Sequence, residues 1–197
     1  EFRLTTVGAI GAVAVAALVA GCGGGGSSGS SSGLKLSGTA ATGTAVANKA
    51  VDARCATGTG TATTGADGSY AMTIADGVLP CVTRVTTADG VTLRSAATGS
   101  GKTATSNITP VTQLILSRLA GSPTAYDAGV NAEAVTALNS GLQAATDATV
   151  ALLGRNGIDL SAAGNPISGA LVAAGGSAAA NAYGTALTTL DTRLASG

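Results

Sequence analysis

Few residues in this chain have the type and spacing to do chemistry. Cysteines stand at Cys22, Cys55 and Cys81. A thiolate is a nucleophile, a metal ligand or one half of a disulfide. Cys22 ends the small-residue run Leu18-Val19-Ala20-Gly21, behind an almost uninterrupted apolar stretch from Val7 to Ala20. The segment Ala96 to Thr103 reads Ala-Ala-Thr-Gly-Ser-Gly-Lys-Thr and fits the relaxed phosphate-loop pattern. There, backbone N–H groups would surround a phosphate, Lys102 would meet its oxygens and Thr103 would hold magnesium. Asp67, Asp76 and Asp89 each sit in an Ala-Asp-Gly repeat. Lys35 and Asn107 are the kind of pair that an intramolecular isopeptide joins.

The spacing argues against most of these chemistries. A phosphate loop needs a helix starting at its lysine, yet Asn107 and Pro110 follow within two turns. An isopeptide needs a buried acid, and the segment from Leu34 to Asn107 holds no Glu. Each Ala-Asp-Gly repeat offers one carboxylate, whereas a calcium loop gathers several oxygen ligands on a short segment. The chain has no histidine, which removes the commonest general base and metal ligand. No catalytic, cofactor-binding or metal-ligating residue is assigned, and no cofactor is expected.

Cys22 is different. The apolar run before it is too short to cross a membrane comfortably, which takes about 20 residues. It suits transient insertion and removal. Residues 23–33 are all glycine or serine. Val19-Ala20-Gly21-Cys22 resembles the lipobox of bacterial lipoproteins. The resemblance implies a signal peptide over residues 1–21, acylation of the Cys22 sulfur and a Gly/Ser tether to residue 33. Gly23 stands where Asp would favour inner-membrane retention in that family, so outer-membrane anchoring is implied. A buried methylene contributes about 0.8 kcal/mol, and stable anchoring takes more than one chain. The partner implied by Cys22 is therefore a lipid bilayer. The tether has a root-mean-square reach of roughly 18 Å.

Net charge is zero, with ten cationic and ten acidic residues. No basic patch points to nucleic acid. One Phe, three Tyr and no Trp leave almost no stacking platform for bases or sugars.

The elements that must position these residues change character near Asn107. From Leu34 onward, short runs rich in Thr, Val and Tyr alternate with the Ala-Asp-Gly repeats. Asp-Gly favours tight turns because Gly accepts positive φ and Asp tolerates it. Turn signals roughly every ten residues predict an antiparallel sandwich or barrel. Strands are expected at 34–38, 50–55, 59–64, 69–74, 81–87 and 91–96. The run from Gly60 through Asp67-Gly68-Ser69-Tyr70 to Ile74 resembles the hairpin of carboxypeptidase-regulatory-like domains. Leu36-Ser37-Gly38-Thr39 and Ala50-Val51-Asp52-Ala53 resemble that family's first two strands. The resemblance implies a prealbumin-like, Ig-like sandwich over residues 34–107, with Tyr70 in its core. Export implies an oxidising compartment, where Cys55 and Cys81 are expected to pair.

Thr109 and Pro110 open a helical region over residues 108–197. Thr is a good N-cap and Pro fits the first turn. Val111, Leu114, Ile115 and Leu119 mark one helical stripe. Val135, Leu138, Leu142, Ala145 and Leu152 mark a second, and Tyr183, Leu187, Leu190 and Leu194 a third. The expected class is α+β, a β-sandwich followed by a small C-terminal helical bundle. Asn107 to Thr112, Asn165-Pro166-Ile167-Ser168-Gly169 and the final stripe look like a group of bacterial lipoproteins with an Ala-rich helical tail. The function expected is that of a non-catalytic structural, adhesive or protein-binding module. The alternatives are a subunit that associates with copies of itself and, further off, an envelope hydrolase or its accessory domain.

Overall fold

The computed structural model describes residues 33–196. The signal segment, Cys22 and most of the tether lie outside the described residues. Seven strands come first: β1 (Leu34–Thr39), β2 (Ala50–Thr57), β3 (Thr59–Thr63), β4 (Ser69–Ile74), β5 (Val78–Thr86), β6 (Thr92–Ala97) and β7 (Thr103–Thr105). Helices α1 (Pro110–Ala120), α2 (Ala132–Arg155) and α3 (Ala182–Ser196) follow, with a 3-10 turn at Ser161–Ala163. The class is α+β.

The strands form two sheets, ordered β4-β1-β7 and β3-β2-β5-β6. All pairings are antiparallel except β1 with β7, where Lys35, Leu36 and Ser37 lie opposite Thr103, Ala104 and Thr105. Strict alternation puts one face of each strand inside. Tyr70, Met72 and Ile74 of β4 are buried and Ser69, Ala71 and Thr73 exposed. Side chains from both sheets join in one buried cluster, among them Leu34, Leu36, Val51, Tyr70, Ile74, Val85 and Leu93. A second cluster holds the helices to the outer face of the larger sheet, through Val82 and Ala96 against Val111, Ile115, Leu138 and their neighbours. That cover explains why β5 and β6 are buried on consecutive residues, as strands covered on both faces are.

The three Ala-Asp-Gly turns do two different jobs. Ala88-Asp89-Gly90 closes the β5–β6 hairpin, with Gly90 at φ 81°. The other two carry the chain from one sheet to the other, β3 to β4 and β4 to β5, and so are not hairpin turns. At the first, Gly68 has φ 79° and a Cβ there would run into the Ala40 carbonyl oxygen. Only glycine combines that φ with that approach.

Thr109 caps α1 as expected. Its hydroxyl accepts from Thr112 N at 3.1 Å, and the Thr112 hydroxyl accepts from Thr109 N at 2.9 Å. The first stripe is shifted from its expected place. Leu116 is buried beside Val111 and Ile115, whereas Leu114 is 38% exposed. The sheet side of α1 is occupied by Thr112, which donates to the Arg94 carbonyl, so the buried arc turns away from Leu114. On α2 the buried set is Ala134, Leu138, Leu142, Ala145, Thr146, Thr149 and Leu153. On α3, Tyr183 and Leu187 are buried and Leu194 is exposed.

Candidate functional site

The ion pairs found among the described residues, Arg84–Asp52 and Arg94–Asp127, lie on the outer face of the β3-β2-β5-β6 sheet, at the end the helices leave open. Residues alternate along each strand, so Asp52 and Arg54 of β2, Arg84 of β5 and Arg94 of β6 point opposite to the buried Val51, Ala53, Val85 and Leu93. Cross-strand register sets Asp52 opposite Arg84, and Arg84 opposite Arg94. Thr86 and Thr92 form the next row, with their hydroxyls 3.0 Å apart. Ala50, Asp52, Arg84, Thr86, Thr92 and Arg94 line an open groove of about 370 Å³.

The two arginines facing that groove are used differently. Arg94 is buried and grips Asp127 of the α1–α2 loop, through Nε at 2.6 Å and Nη2 at 2.5 Å. Its Nη1 donates to the Thr92 carbonyl at 3.1 Å. Arg54 reaches the neighbouring Ala128 carbonyl. The fork-to-fork pair is the strong geometry for arginine and carboxylate. Hydrogen bonding from Arg94 holds the Asp127 carboxyl below its usual range against partial burial, helped by the charges of Arg94, Arg84 and Arg54. Arg84 makes one contact, Nε to Asp52 Oδ2 at 3.2 Å. Its terminal nitrogens and the second Asp52 oxygen have no protein partner among the described residues, and both side chains are more than a third exposed.

The residues singled out in the sequence are dispersed. Cys55 and Cys81 are bonded to each other, directly opposite in the β2–β5 ladder and facing the core. Lys102 and Thr103 do not open a helix: Thr103 starts β7, and the Lys102 ammonium donates to the Gly77 carbonyl at 3.2 Å. Lys35 is exposed. Asn107 is buried, accepting from Thr39 N at 3.1 Å and donating to the Gly169 carbonyl at 2.7 Å and the Pro166 carbonyl at 3.4 Å. Both ends of its amide are thus engaged away from Lys35. These bonds bring together two segments that the sequence treats as motifs, Asn107–Thr112 and Asn165–Gly169. Asp67 accepts from the backbone and hydroxyl of Ser69, which lowers its pKa and closes its own turn. Among the described residues, no three of His, Cys, Asp and Glu gather to hold a metal ion.

Tyr70 occupies the core. Its hydroxyl donates to the Ser106 carbonyl, and burial pushes its pKa up to about 12. The Tyr183 hydroxyl lies 3.0 Å from Thr109 Oγ1 and is likewise raised by burial. Sequence reasoning missed the charged sheet face. Its signal was present, since Asp52, Arg54, Arg84 and Arg94 are charges at outward positions of strands in a charge-poor chain. Asp127 carries no such signal, because a loop brings it to the sheet.

Compared with protein-family models, with curated proteins and with solved structures, the chain matches none.

Proposed function

We propose that this chain is a lipid-anchored envelope protein whose folded body serves as a non-catalytic binding module. The observation that carries this is the order of parts in the chain. A lipobox-like Val19-Ala20-Gly21-Cys22 is followed by a Gly/Ser tether, and the first strand starts at Leu34 immediately after it. The Cys55–Cys81 bond supports export, since disulfides persist in oxidising compartments. Two sheets sharing a core, with Tyr70 inside, support the prealbumin-like sandwich of carboxypeptidase-regulatory-like domains as the finer description of the β part. Outer-membrane placement follows from Gly23. The open, charged end of the larger sheet is the surface that such a module would present.

The test has two arms. Intact mass of membrane-extracted protein should give a chain that starts at Cys22 and carries acyl mass, with a Cys22→Ser variant lacking both. The unlipidated variant should still co-sediment with isolated cell envelopes. A chain that keeps the residues before Cys22 overturns the anchor; loss of co-sedimentation overturns the module.

A second reading, association of copies into a filament or lattice, has one observation in its favour. The strand β3, Thr59-Gly60-Thr61-Ala62-Thr63, lies at the edge of its sheet without a charge or proline. Unprotected edges invite strand addition. Electron microscopy of purified protein decides it, ordered assemblies favouring this reading over the module.

A further inference from the structure

The groove at the open end of the larger sheet has the chemistry of a ligand site. Its volume, about 370 Å³, falls in the range of small-molecule pockets. One wall carries an arginine held only by its Nε, so that the planar pair of terminal nitrogens is left for an oxyanion. Asp52 keeps one oxygen without a protein donor, and the Thr86 and Thr92 hydroxyls sit in the adjacent row. Arg94 and Arg54 are fixed beside it by Asp127 and the Ala128 carbonyl. Three guanidiniums against two carboxylates leave the face positive, and that potential also lowers the Asp127 pKa.

We infer that this groove binds a hydroxylated monocarboxylate the size of a uronic acid, free or as a unit of an acidic polysaccharide. The ligand carboxylate meets the terminal nitrogens of Arg84, and its hydroxyls meet Asp52, Thr86 and Thr92. Two features select this class. The arginine fork fits a planar carboxylate bidentately. The spare Asp52 oxygen is an acceptor, so the ligand must bring donors beside its charge. The groove lining contains no aromatic ring on which a neutral sugar could stack, so the ionic anchor decides recognition. The assignment rests on the binding-module reading, though not on the lipid anchor.

The experiment is isothermal titration of the full chain with glucuronate, a short oligogalacturonate, glucose and inorganic phosphate. Glucuronate and the oligomer should bind, more weakly as salt is added, and glucose should not. Arg84→Gln should weaken binding at least tenfold, Arg84→Lys by less, and Arg118→Gln not at all, with thermal stability unchanged. Binding of the oligomer alone assigns a polymer unit; equal binding of the monomer assigns the free acid. Undiminished binding by both Arg84 variants, an equal response to glucose, or a stronger one to phosphate overturns the inference. If the Cys22→Ser chain co-sediments with envelopes but ignores both glucuronate and the oligomer, the ligand assignment falls and the module reading stands. If it does neither, both fall.

Discussion

The two faces of the β3-β2-β5-β6 sheet are built from alternate residues of the same strands, and they are put to opposite uses. Inward, Val51, Ala53, Cys55, Cys81, Val85 and Leu93 are buried, and one pair of opposed residues is covalently joined. Outward, Asp52, Arg54, Arg84 and Arg94 concentrate charge in a chain that has little of it. The period of two lets one strand carry buried apolar residues on one side and charged ones on the other, with little interference between them. The outer face is itself divided. Arg94 is tied into the fold by Asp127, whereas Arg84 is free to engage something else.

Perturbing each face in turn tests that division. Removing the inner cross-link should cost most. The double variant Cys55→Ser, Cys81→Ser loses the closure of a loop with 26 residues of sequence separation, a loss of about 3 kcal/mol. Urea unfolding with and without reductant measures it, and the wild type should fall to the variant's stability on reduction.

Next comes Tyr70. Its pKa is raised by burial from 10.0 to about 12, so its contribution is intact below pH 10 and is lost as pH rises towards 12. The loss is on the order of 2 kcal/mol. Tyr70→Phe should flatten that alkaline decline, leaving the part due to Tyr183.

On the outer face, Arg94→Ala strands the Asp127 carboxylate and should cost about 2 kcal/mol. Because the folded-state pKa of Asp127 is lowered, its contribution holds above the ordinary 3.8 and fades as pH falls below it. The variant should therefore lose acid sensitivity along with stability, which an acid titration of the unfolding midpoint checks.

The smallest effect belongs to Arg84→Gln. A half-exposed pair such as Arg84–Asp52 contributes under about 0.5 kcal/mol. A loss as large as that of Arg94→Ala would break the distinction between the two arginines.

The sequence made the local decisions legible and left the distant ones hidden. The strand positions followed from alternation, and the start of α1 from Thr109 and Pro110, because both signals involve neighbours within a few residues. The strand β7 was invisible. Thr103-Ala104-Thr105 has no apolar face, and it is a strand only because β1, far back in the chain, offers it a partner. For the same reason, Asp67-Gly68 and Asp76-Gly77 looked like hairpin turns. Asp-Gly announces a reversal of the chain but not which sheet receives it. The outward direction of Asp52, Arg84 and Arg94 follows from strand periodicity, yet their register needed the pairings. The assignment of Arg94 to Asp127 needed the α1–α2 loop.

The pairing of β1 has a mechanical consequence. The chain emerges from the tether directly into β1, and β1 is the central strand of its sheet, bonded to β4 on one side and β7 on the other. A pull on the N-terminal side of Leu34 therefore cannot peel a free edge one rung at a time. It must slide β1 against two neighbours at once, so load is shared in shear across both ladders. An anchor attached here would hang the whole body from its best-braced strand, and a bound polymer dragging on the far sheet would be resisted by the fold as a unit.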